Sequence, residues 1–264
     1  MANPLTLTIV IPVYNEAAHL GACLEAIAAQ TVKPDEVIIV DNNSTDASIE
    51  IAEKYPFVTV IKEKKQGIVF ARDAGFNAAK SEIIGRIDGD TRLPKNWVEK
   101  VHNFYKNDKH RGYALTGGGY FYNMRAPRFN GWIQSQLAYR FNRLIVGFYI
   151  LWGSNMAFTR EQWLAVRDQV CHDVFIHEDL DLAIHLHRNG YQIRYRTDIK
   201  AGVYLKRIYE NRGEQNEHLE RWPKTLHLHH FPLWWLSISG NILLKYLVQP
   251  FAIATEYASR AIGR

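Results

Sequence analysis

The N-terminal third of the chain alternates between short apolar segments and longer amphipathic ones. The apolar runs predict strands over 5–13, 36–40, 57–61 and 82–87. Apolar positions three and four residues apart predict helices over 17–30, 46–54 and 67–79. Because strands this apolar have no wet face and alternate with helices, we expect βαβ units and a parallel sheet covered on both faces.

The rest of the chain has a more mixed pattern. Helices are predicted over 97–105 and 130–146, and from 177 to the C-capping pair Asn189-Gly190. Strands are predicted over 113–121, after a turn at Gly153, and over 191–195. The chain has no internal repeat and no low-complexity linker.

Polar turns follow the first four predicted strands. They contain Tyr14-Asn15-Glu16, Asp41-Asn42-Asn43, Lys64-Lys65-Gln66-Gly67 and Asp88-Gly89-Asp90. Ligands of parallel sheets bind beyond the carboxyl ends of the strands, so these turns predict a binding site on one rim. The chain lacks Gly-x-Gly-x-x-Gly after the first strand and lacks the P-loop pattern. This argues against a dinucleotide-binding dehydrogenase and a P-loop enzyme.

Asp88 and Asp90 flank Gly89 directly after the fourth strand. Mg²⁺ and Mn²⁺ prefer oxygen ligands and commonly share them with the phosphates of a substrate. Two aspartates one residue apart can therefore hold a cation against a diphosphate. A solvated Asp-Gly turn is the alternative interpretation.

Composition narrows the class of protein. The 264 residues suit one large domain, with or without an appendage, and 47% hydrophobic content indicates a folded globular chain. The net charge of +5 fits an anionic ligand or membrane surface, but the basic residues are not concentrated as in a nucleic-acid binder. Cys23 and Cys171 form no metal-type cluster, and no signal sequence is evident, so we expect a reduced, cytosolic protein.

Six motifs over residues 5–201 together resemble family 2 inverting glycosyltransferases with the GT-A fold. They are Ile11-Pro12-Val13-Tyr14-Asn15-Glu16, Val40-Asp41-Asn42-Asn43-Ser44-Thr45-Asp46, Gly67-Ile68-Val69-Phe70-Ala71-Arg72-Asp73-Ala74-Gly75, Asp88-Gly89-Asp90, Gly153-Ser154-Asn155-Met156-Ala157-Phe158 and Glu178-Asp179. Each motif alone is common, whereas all six in this order are specific. The resemblance implies a Rossmann-like, mostly parallel central sheet flanked by helices. The composition of the C-terminal region adds an amphipathic helical extension to this expectation.

The resemblance also implies a domain division. Residues 1–225 would form the catalytic domain, with a nucleotide-sugar half over about 1–92 and an acceptor half over about 93–225. The tail is predicted from composition instead: the apolar, aromatic stretch from Phe231 indicates that residues 226–264 form a helical tail that associates with the membrane.

The nucleotide site implied by the resemblance lies on the rim. Asp41 would accept from a ring N–H of the base, and Arg72 would lie near the phosphates. An ion pair from Arg72 to Asp73 or Asp88 is the alternative. The other implied nucleotide contacts are Pro12, Tyr14, Glu16, Asn43, Gly67, Asp88 and Gly89.

The resemblance assigns the metal and the general base to carboxylates. Asp90 would be the main ligand of Mn²⁺ or Mg²⁺, and Asp88 would face the ribose or the metal. Asp179 would be the base, because an acceptor hydroxyl must lose a proton as it attacks. First-turn acids favoured by the helix dipole are the alternative for Glu178 and Asp179. Asp181 is a fallback base.

The resemblance also implies contacts with the sugar and the acceptor. Glu178, Trp152, Gly153, Ser154 and Asn155 would border the sugar and the acceptor.

The segment His218-Leu219-Glu220-Arg221-Trp222 half matches the Gln-x-x-Arg-Trp motif of processive synthases, with His in place of Gln. Arg221 and Trp222 would cover the substrate or simply pack. Continuous polymer synthesis is not expected, because the large membrane segments of those synthases are missing.

Two features of the C-terminal region leave alternatives open. His227, His229 or His230 could offer a further metal ligand, or could be interfacial. The apolar stretch from Phe231 is interrupted by Asn241, Lys245 and Pro250, so it does not predict a membrane span. Two tryptophans beside cations suit a helical hairpin at the lipid headgroups, and packing on the catalytic domain or on a second subunit is the alternative.

The sequence therefore predicts a metal-dependent inverting glycosyltransferase at the cytoplasmic face of the cell membrane. It would move one sugar from a nucleotide donor, with UDP favoured, to a hydroxyl of a lipid-linked or cell-envelope glycan. A polyprenyl-phosphate acceptor is the alternative. A non-catalytic nucleotide-sugar-binding protein ranks lower. A nucleotidyltransferase is disfavoured because the first loop is neither glycine-rich nor basic.

Overall fold

A computed structural model describes residues 5–124, 139–140, 142–204 and 212–236, with side chains from 220 onward in the last range. Its centre is a seven-stranded sheet in the order β3-β2-β1-β4-β6-β5-β7. The strands are β1 Leu7–Val13, β2 Glu36–Asp41, β3 Val58–Lys62, β4 Ile83–Arg86, β5 Tyr113–Phe121, β6 Met156–Thr159 and β7 Gln192–Val203. Only β6 runs antiparallel to both of its neighbours, so the predicted mostly parallel sheet is confirmed.

Helices flank the sheet. The described helices are α1 Leu20–Ala28, α2 Ser48–Ala52, α3 Ile68–Ala78, α4 Trp97–Tyr105, α5 Asn142–Val146, α6 Arg160–Val166, α7 Glu178–Arg188 and α8 Arg212–Leu228. The predicted end of α7 is confirmed, because Gly190 adopts a φ of 86° that favours glycine. Most of the predicted helix over 130–146 lies outside the described residues.

The core consists of two apolar clusters, one on each face of the sheet. Phe76 packs edge-on against Phe158 and Trp163, with ring centroids 5.0 and 5.1 Å away. The opposite cluster contains Ile9 and Trp97, both almost fully buried. Burial on both faces explains why β1 is apolar along its whole length.

Strand β7 is longer than the predicted 191–195. It is an edge strand with many exposed positions, and its polar residues hide it from a search for apolar runs. Its pairing with β5 shifts register between Gly117 and Gly118. A Cβ on Gly117 would overlap the carbonyl oxygen of Ile199, so the glycine allows this close approach.

Helix α8 was not predicted from the sequence, and it extends across the predicted domain boundary at 225/226. Leu226 in this helix is completely buried. Within the described part of the chain, no helix combines the length and apolar character needed to cross a membrane. Residues 237–264, which carry most of the predicted tail, lie outside that part.

Candidate active site

The loops after β1, β2 and β3 meet on one rim of the sheet. The side-chain oxygen of Asn15 accepts from the backbone N–H of Thr45 at 2.8 Å, which joins the first two loops. The side-chain oxygen of Asn42 accepts from the N–H of Gly67 at 2.8 Å, which joins the second and third. The structure therefore brings together the polar turns that the sequence placed at strand ends.

The predicted base and ribose contacts border this rim. Pro12 is buried within β1, whereas Tyr14 just beyond the strand is 52% exposed. A Cβ on Gly89 would lie 3.0 Å from Cγ of Glu16, so the fourth loop closely approaches the first. These residues are adjacent to one another, and their contacts with a nucleotide stay predictions.

Asp41 ends β2 with its carboxylate buried. Its Oδ1 accepts from the backbone N–H of Ser44 at 2.8 Å, and its Oδ2 lies 3.9 Å from Nζ of Lys62. Asn43 has a φ of 66° and donates through Nδ2 to the carbonyl of Lys64. These contacts hold the Asp41 carboxylate in place, and its contact with a nucleotide base stays a prediction.

Arg72 is completely buried and makes the ion pair that the sequence left as an alternative. Its Nη2 lies 2.7 Å from Oδ1 of Asp73, and its Nη1 donates to the carbonyl of Glu178 at 2.9 Å. His172 contacts the other oxygen of Asp73 at 2.9 Å. Arg72 therefore joins α3 to the start of α7, and its approach to phosphates stays a prediction.

Asp88 and Asp90 follow β4 on the same rim. The Oδ1 of Asp88 lies 2.9 Å from Nη2 of Arg86, and its Oδ2 accepts from the hydroxyl of Ser154. Asp90 is buried, with 6% of its surface exposed. The two carboxylates supply the oxygen atoms that a hard divalent cation prefers.

Glu178 and Asp179 begin α7, as predicted. The Oδ2 of Asp179 accepts from the backbone N–H of Gly153 at 2.7 Å, and its Oδ1 lies 3.1 Å from Nη1 of Arg86. The carboxylate of Glu178 lies 3.5 Å from Nη2 of the same arginine. One guanidinium therefore contacts three carboxylates.

Arg86 was missed as a functional residue by the sequence reasoning. It is the last residue of β4, lies inside the apolar segment over 82–87 and is 2% exposed. A cation inside an apolar strand needs buried anions nearby, which is the signal that could have revealed it. The three carboxylates of Asp88, Glu178 and Asp179 supply this compensation and raise the pKa of Arg86 against the opposing effect of burial.

Asp179 and Glu178 at the start of α7 have different pKa values. Burial raises the pKa of Asp179 to about 7, with Arg86 opposing and the charges of Glu178 and Asp88 reinforcing the rise. Burial also acts to raise the pKa of Glu178, but Arg86, His177 and Arg72 lower it below its ordinary value. A carboxyl with a pKa near neutrality is suited to proton transfer.

The residues of the segment 152–155 differ in burial and in their contacts. Trp152 is half-buried against the core, in space that Gly119 leaves open. Asn155 is completely buried; its Nδ2 donates to the carbonyls of Gly118 and Ile199, and its Oδ1 accepts from Trp97. Asn155 thus fixes the backbone, and its predicted contact with the sugar is not tested by this geometry.

Helix α8 places Trp222 beside α7. The Trp222 ring lies 4.8 Å from the ring of His177, the residue before Glu178. The backbone N–H of His177 donates to Oγ1 of Thr225 at 2.8 Å, and this hydroxyl donates to the carbonyl of Arg221. The helix carrying Arg221 and Trp222 is thus attached to the segment carrying the predicted base.

A second group of potential metal ligands lies where α7 meets the residues that follow α8. Ligand atoms of Asp181, His185 and His229 all lie within 4.8 Å of one another. However, Arg188 donates to Nδ1 of His229 at 3.1 Å, which leaves the proton on Nε2 for a 2.7 Å bond to Asp181. His229 and Asp181 are therefore hydrogen-bonded without a bound ion. The carboxylate of Asp181, the fallback base, is occupied by this bond.

The chain belongs to glycosyl transferase family 2, because the sequence model of that family matches residues 8–163. Among curated relatives, a cholesterol galactosyltransferase of Borreliella burgdorferi is 33% identical over 39% of this chain and 30% of its own. The glycosyltransferase AglE of Haloferax volcanii is 34% identical over 36% of this chain and 33% of its own. The matched segments thus span about a third of each relative's length.

Two solved structures share the fold over most of this chain. The mannosyltransferase PcManGT of Pyrobaculum calidifontis, in complex with GDP-Man and Mn²⁺, has a TM-score of 0.61 and 21% identity. It aligns with 99% of this chain and 75% of its own. TarS 1-349 of S. aureus, in complex with UDP-GlcNAc, has a TM-score of 0.62 and 18% identity over 94% and 69% of the two chains. The predicted GT-A fold is confirmed.

Proposed function

We propose that this protein transfers a single sugar from a nucleotide-sugar donor to an acceptor, with inversion and with help from a divalent cation. The observation that carries the proposal is the placement of Asp88 and Asp179 on one buried guanidinium, that of Arg86. The carboxylate that would hold a metal-diphosphate and the carboxylate that would accept a proton thereby contact the same side chain. Family 2 membership and the donor complexes of PcManGT and TarS support this reading.

The residues on the rim fit a hard cation. Burial raises the pKa of the Cys23 thiol, and the charges of Asp90, Asp88 and Glu16 raise it further, which is the effect expected beside a strongly negative pocket. Asp90 and Asp88 would hold Mn²⁺ or Mg²⁺. When bound, the cation would offset the charge that develops on the departing diphosphate.

The chemistry assigned to the chain's own residues is a single displacement. Asp179 would accept the proton of an acceptor hydroxyl as its oxygen attacks the anomeric carbon, and the nucleoside diphosphate would leave from the opposite face. The backbone of Gly153 and the guanidinium of Arg86 hold the Asp179 carboxylate from two sides. One displacement of this kind inverts the anomeric configuration.

The donor and acceptor are proposed at the level of class. Asp41 would recognise a base N–H, and a UDP-sugar is favoured, although PcManGT is described with GDP-Man. The acceptor would be a hydroxyl on a lipid-linked or cell-envelope glycan. If a polyprenyl phosphate accepts the sugar instead, its oxygen is already anionic and needs no base.

A peripheral membrane position at the cytoplasmic face is also proposed. At the end of the described chain, Leu228, Leu233 and Trp235 are 49%, 39% and 53% exposed, and apolar side chains beside cations suit lipid headgroups. Flotation of the full chain with anionic vesicles is the expected result. A protein that stays at the bottom of the gradient with every vesicle would contradict this part of the proposal.

The test of the proposed reaction is turnover of a donor panel. The full chain would be incubated with Mn²⁺ and UDP-, GDP-, CDP- or TDP-sugars, together with lipid-linked glycan and polyprenyl phosphate acceptors. Release of one nucleoside diphosphate, with an inverted linkage by NMR, is expected. Nucleotide binding without turnover of any donor would instead favour a non-catalytic binding protein.

A further inference from the structure

Arg86 is a buried cation. It is the last residue of β4, it is 2% exposed, and its strand neighbours are apolar. A buried ion pair adds little net stability, because removing both charges from water offsets most of their attraction. Such a group is better suited to fixing geometry than to stabilising the fold.

The partners of Arg86 come from two parts of the chain. Asp88 lies two residues downstream in the predicted nucleotide-sugar half, whereas Glu178 and Asp179 begin α7 in the predicted acceptor half. Nη2 lies 2.9 Å from Asp88, and Nη1 lies 3.1 Å from Asp179. The planar guanidinium thus fixes the separation of two carboxylates that lie 91 positions apart in the sequence.

The loop before β6 contacts the same two carboxylates, those of Asp88 and Asp179. The hydroxyl of Ser154 donates to Oδ2 of Asp88, and the N–H of Gly153 donates to Oδ2 of Asp179. A Cβ on Gly153 would overlap Nη1 of Arg86, so the glycine gives the guanidinium its space. Each carboxylate is therefore held by one nitrogen of Arg86 and by one residue of this loop.

We propose that Arg86 is a positioning residue that sets the distance and orientation between Asp88 and Asp179. The inference rests on the proposed function, in which Asp88 lies on the donor side and Asp179 on the acceptor side. Arg86 acts through these carboxylates and does not touch the reacting atoms. Catalysis depends on this alignment, because a misplacement of about 1 Å can cost about a hundredfold in rate.

The test compares Arg86→Met, which keeps much of the side-chain length, with Arg86→Lys, which keeps the charge but loses the planar fork. Arg196→Met is the matched control, because it removes a partly exposed arginine whose ion pair is with Asp198 and not with the carboxylates of the candidate site. kcat, the KM for the donor and the thermal shift by nucleoside diphosphate with Mn²⁺ would be measured. These quantities separate a loss of alignment from a loss of folded protein.

For Arg86→Met, kcat is expected to fall about a hundredfold while the nucleotide shift persists, and Arg86→Lys is expected to lose about tenfold. Unchanged kcat in Arg86→Met, or a fall matched by loss of nucleotide binding, would overturn the role. If Arg86→Met does not fold, the kcat of Arg86→Lys tests the positioning role. A wild-type kcat in Arg86→Lys would then overturn that role. A wild-type chain that turns over no donor would refute the proposed function, and the role of Arg86 with it.

Discussion

The backbone N–H of Gly153 donates a 2.7 Å hydrogen bond to Oδ2 of Asp179. A loop between α5 and β6 thus holds the carboxylate that begins α7. The same glycine leaves room for the guanidinium of Arg86, which contacts the other oxygen of Asp179. The position of the proposed base therefore depends on a residue that has no side chain.

Replacing that glycine tests this dependence. In Gly153→Ala, the added Cβ would overlap Arg86 and lie 2.7 Å from Oδ2 of Asp179. We expect a loss of about 1–3 kcal/mol in the free energy of unfolding from overpacking, and a fall in kcat of about a hundredfold. Gly112→Ala is the control, since no atom lies within 4 Å of its added Cβ. Wild-type kinetics in folded Gly153→Ala would contradict the account.

Removing the proposed base separates the two acceptor classes. With a hydroxyl acceptor, Asp179→Asn is expected to lower kcat by about 10²–10⁴-fold, because the proton has no acceptor, while nucleotide affinity is retained. Steady-state transfer kinetics measure this effect. Asp168→Asn is the control, because that carboxylate is 89% exposed. Near-normal turnover by Asp179→Asn would reject the hydroxyl version and favour an anionic phosphate acceptor.

The pH dependence follows from the same carboxyl. Burial raises the pKa of Asp179 to about 7, and only the ionised form can accept a proton. kcat/KM is therefore expected to be low in acid and to rise as the pH passes through about 7. The profile would be measured from about pH 5 to about pH 9. A profile that stays flat down to the ordinary aspartate range would argue against Asp179 as the base.

The cluster of Asp181, His185 and His229 is expected to stabilise the attachment of α8 to α7. His229→Ala removes the partner 2.7 Å from Oδ1 of Asp181, which is completely buried, and should cost about 1–3 kcal/mol in the free energy of unfolding at neutral pH. Lys224→Ala is the control, because this lysine of α8 is 52% exposed on its side chain. Chemical denaturation measures both variants.

The acid behaviour of this cluster gives a further check. Burial opposes ionisation of Asp181, but hydrogen bonds from His185 and His229 lower its pKa to about 2. The stability that comes from this lowered pKa is present above the ordinary value of 3.8 and is lost as the pH falls toward about 2. The difference between wild type and His229→Ala should shrink over that range. A difference that stays constant would contradict this assignment.

Continuous apolar runs made the first four strands predictable from the sequence, and the loops after them could be placed on one rim. Strand β7 was predicted too short, because the exposed residues Arg196, Thr197 and Asp198 interrupt its apolar pattern. Helix α8 is polar along much of its length and contains Pro223, so periodicity did not reveal it.

Candidate site residues could be selected from the sequence only where they belong to local motifs. Asp88, Asp90, Glu178 and Asp179 belong to short motifs with recognisable chemistry. By contrast, the contacts of Arg86 with α7 and of Asp181 with His229 join positions far apart in the chain. Tertiary packing creates these contacts, and no local pattern encodes them.

The most direct test of the account is nucleotide binding by the full chain. The midpoint of thermal unfolding would be measured with UDP, GDP, CDP and TDP, each with Mn²⁺ and with a chelator. Wild type would be compared with Asp90→Ala and with Asp108→Ala, a control whose carboxylate is 92% exposed. Binding to the folded state stabilises it by about 2.7 kcal/mol at a ligand concentration a hundredfold above Kd.

We expect one nucleotide to raise the unfolding midpoint in the presence of Mn²⁺. This rise should be lost with the chelator and in Asp90→Ala, and it should be kept in Asp108→Ala. A midpoint that no nucleotide raises, with or without the metal, would contradict the account.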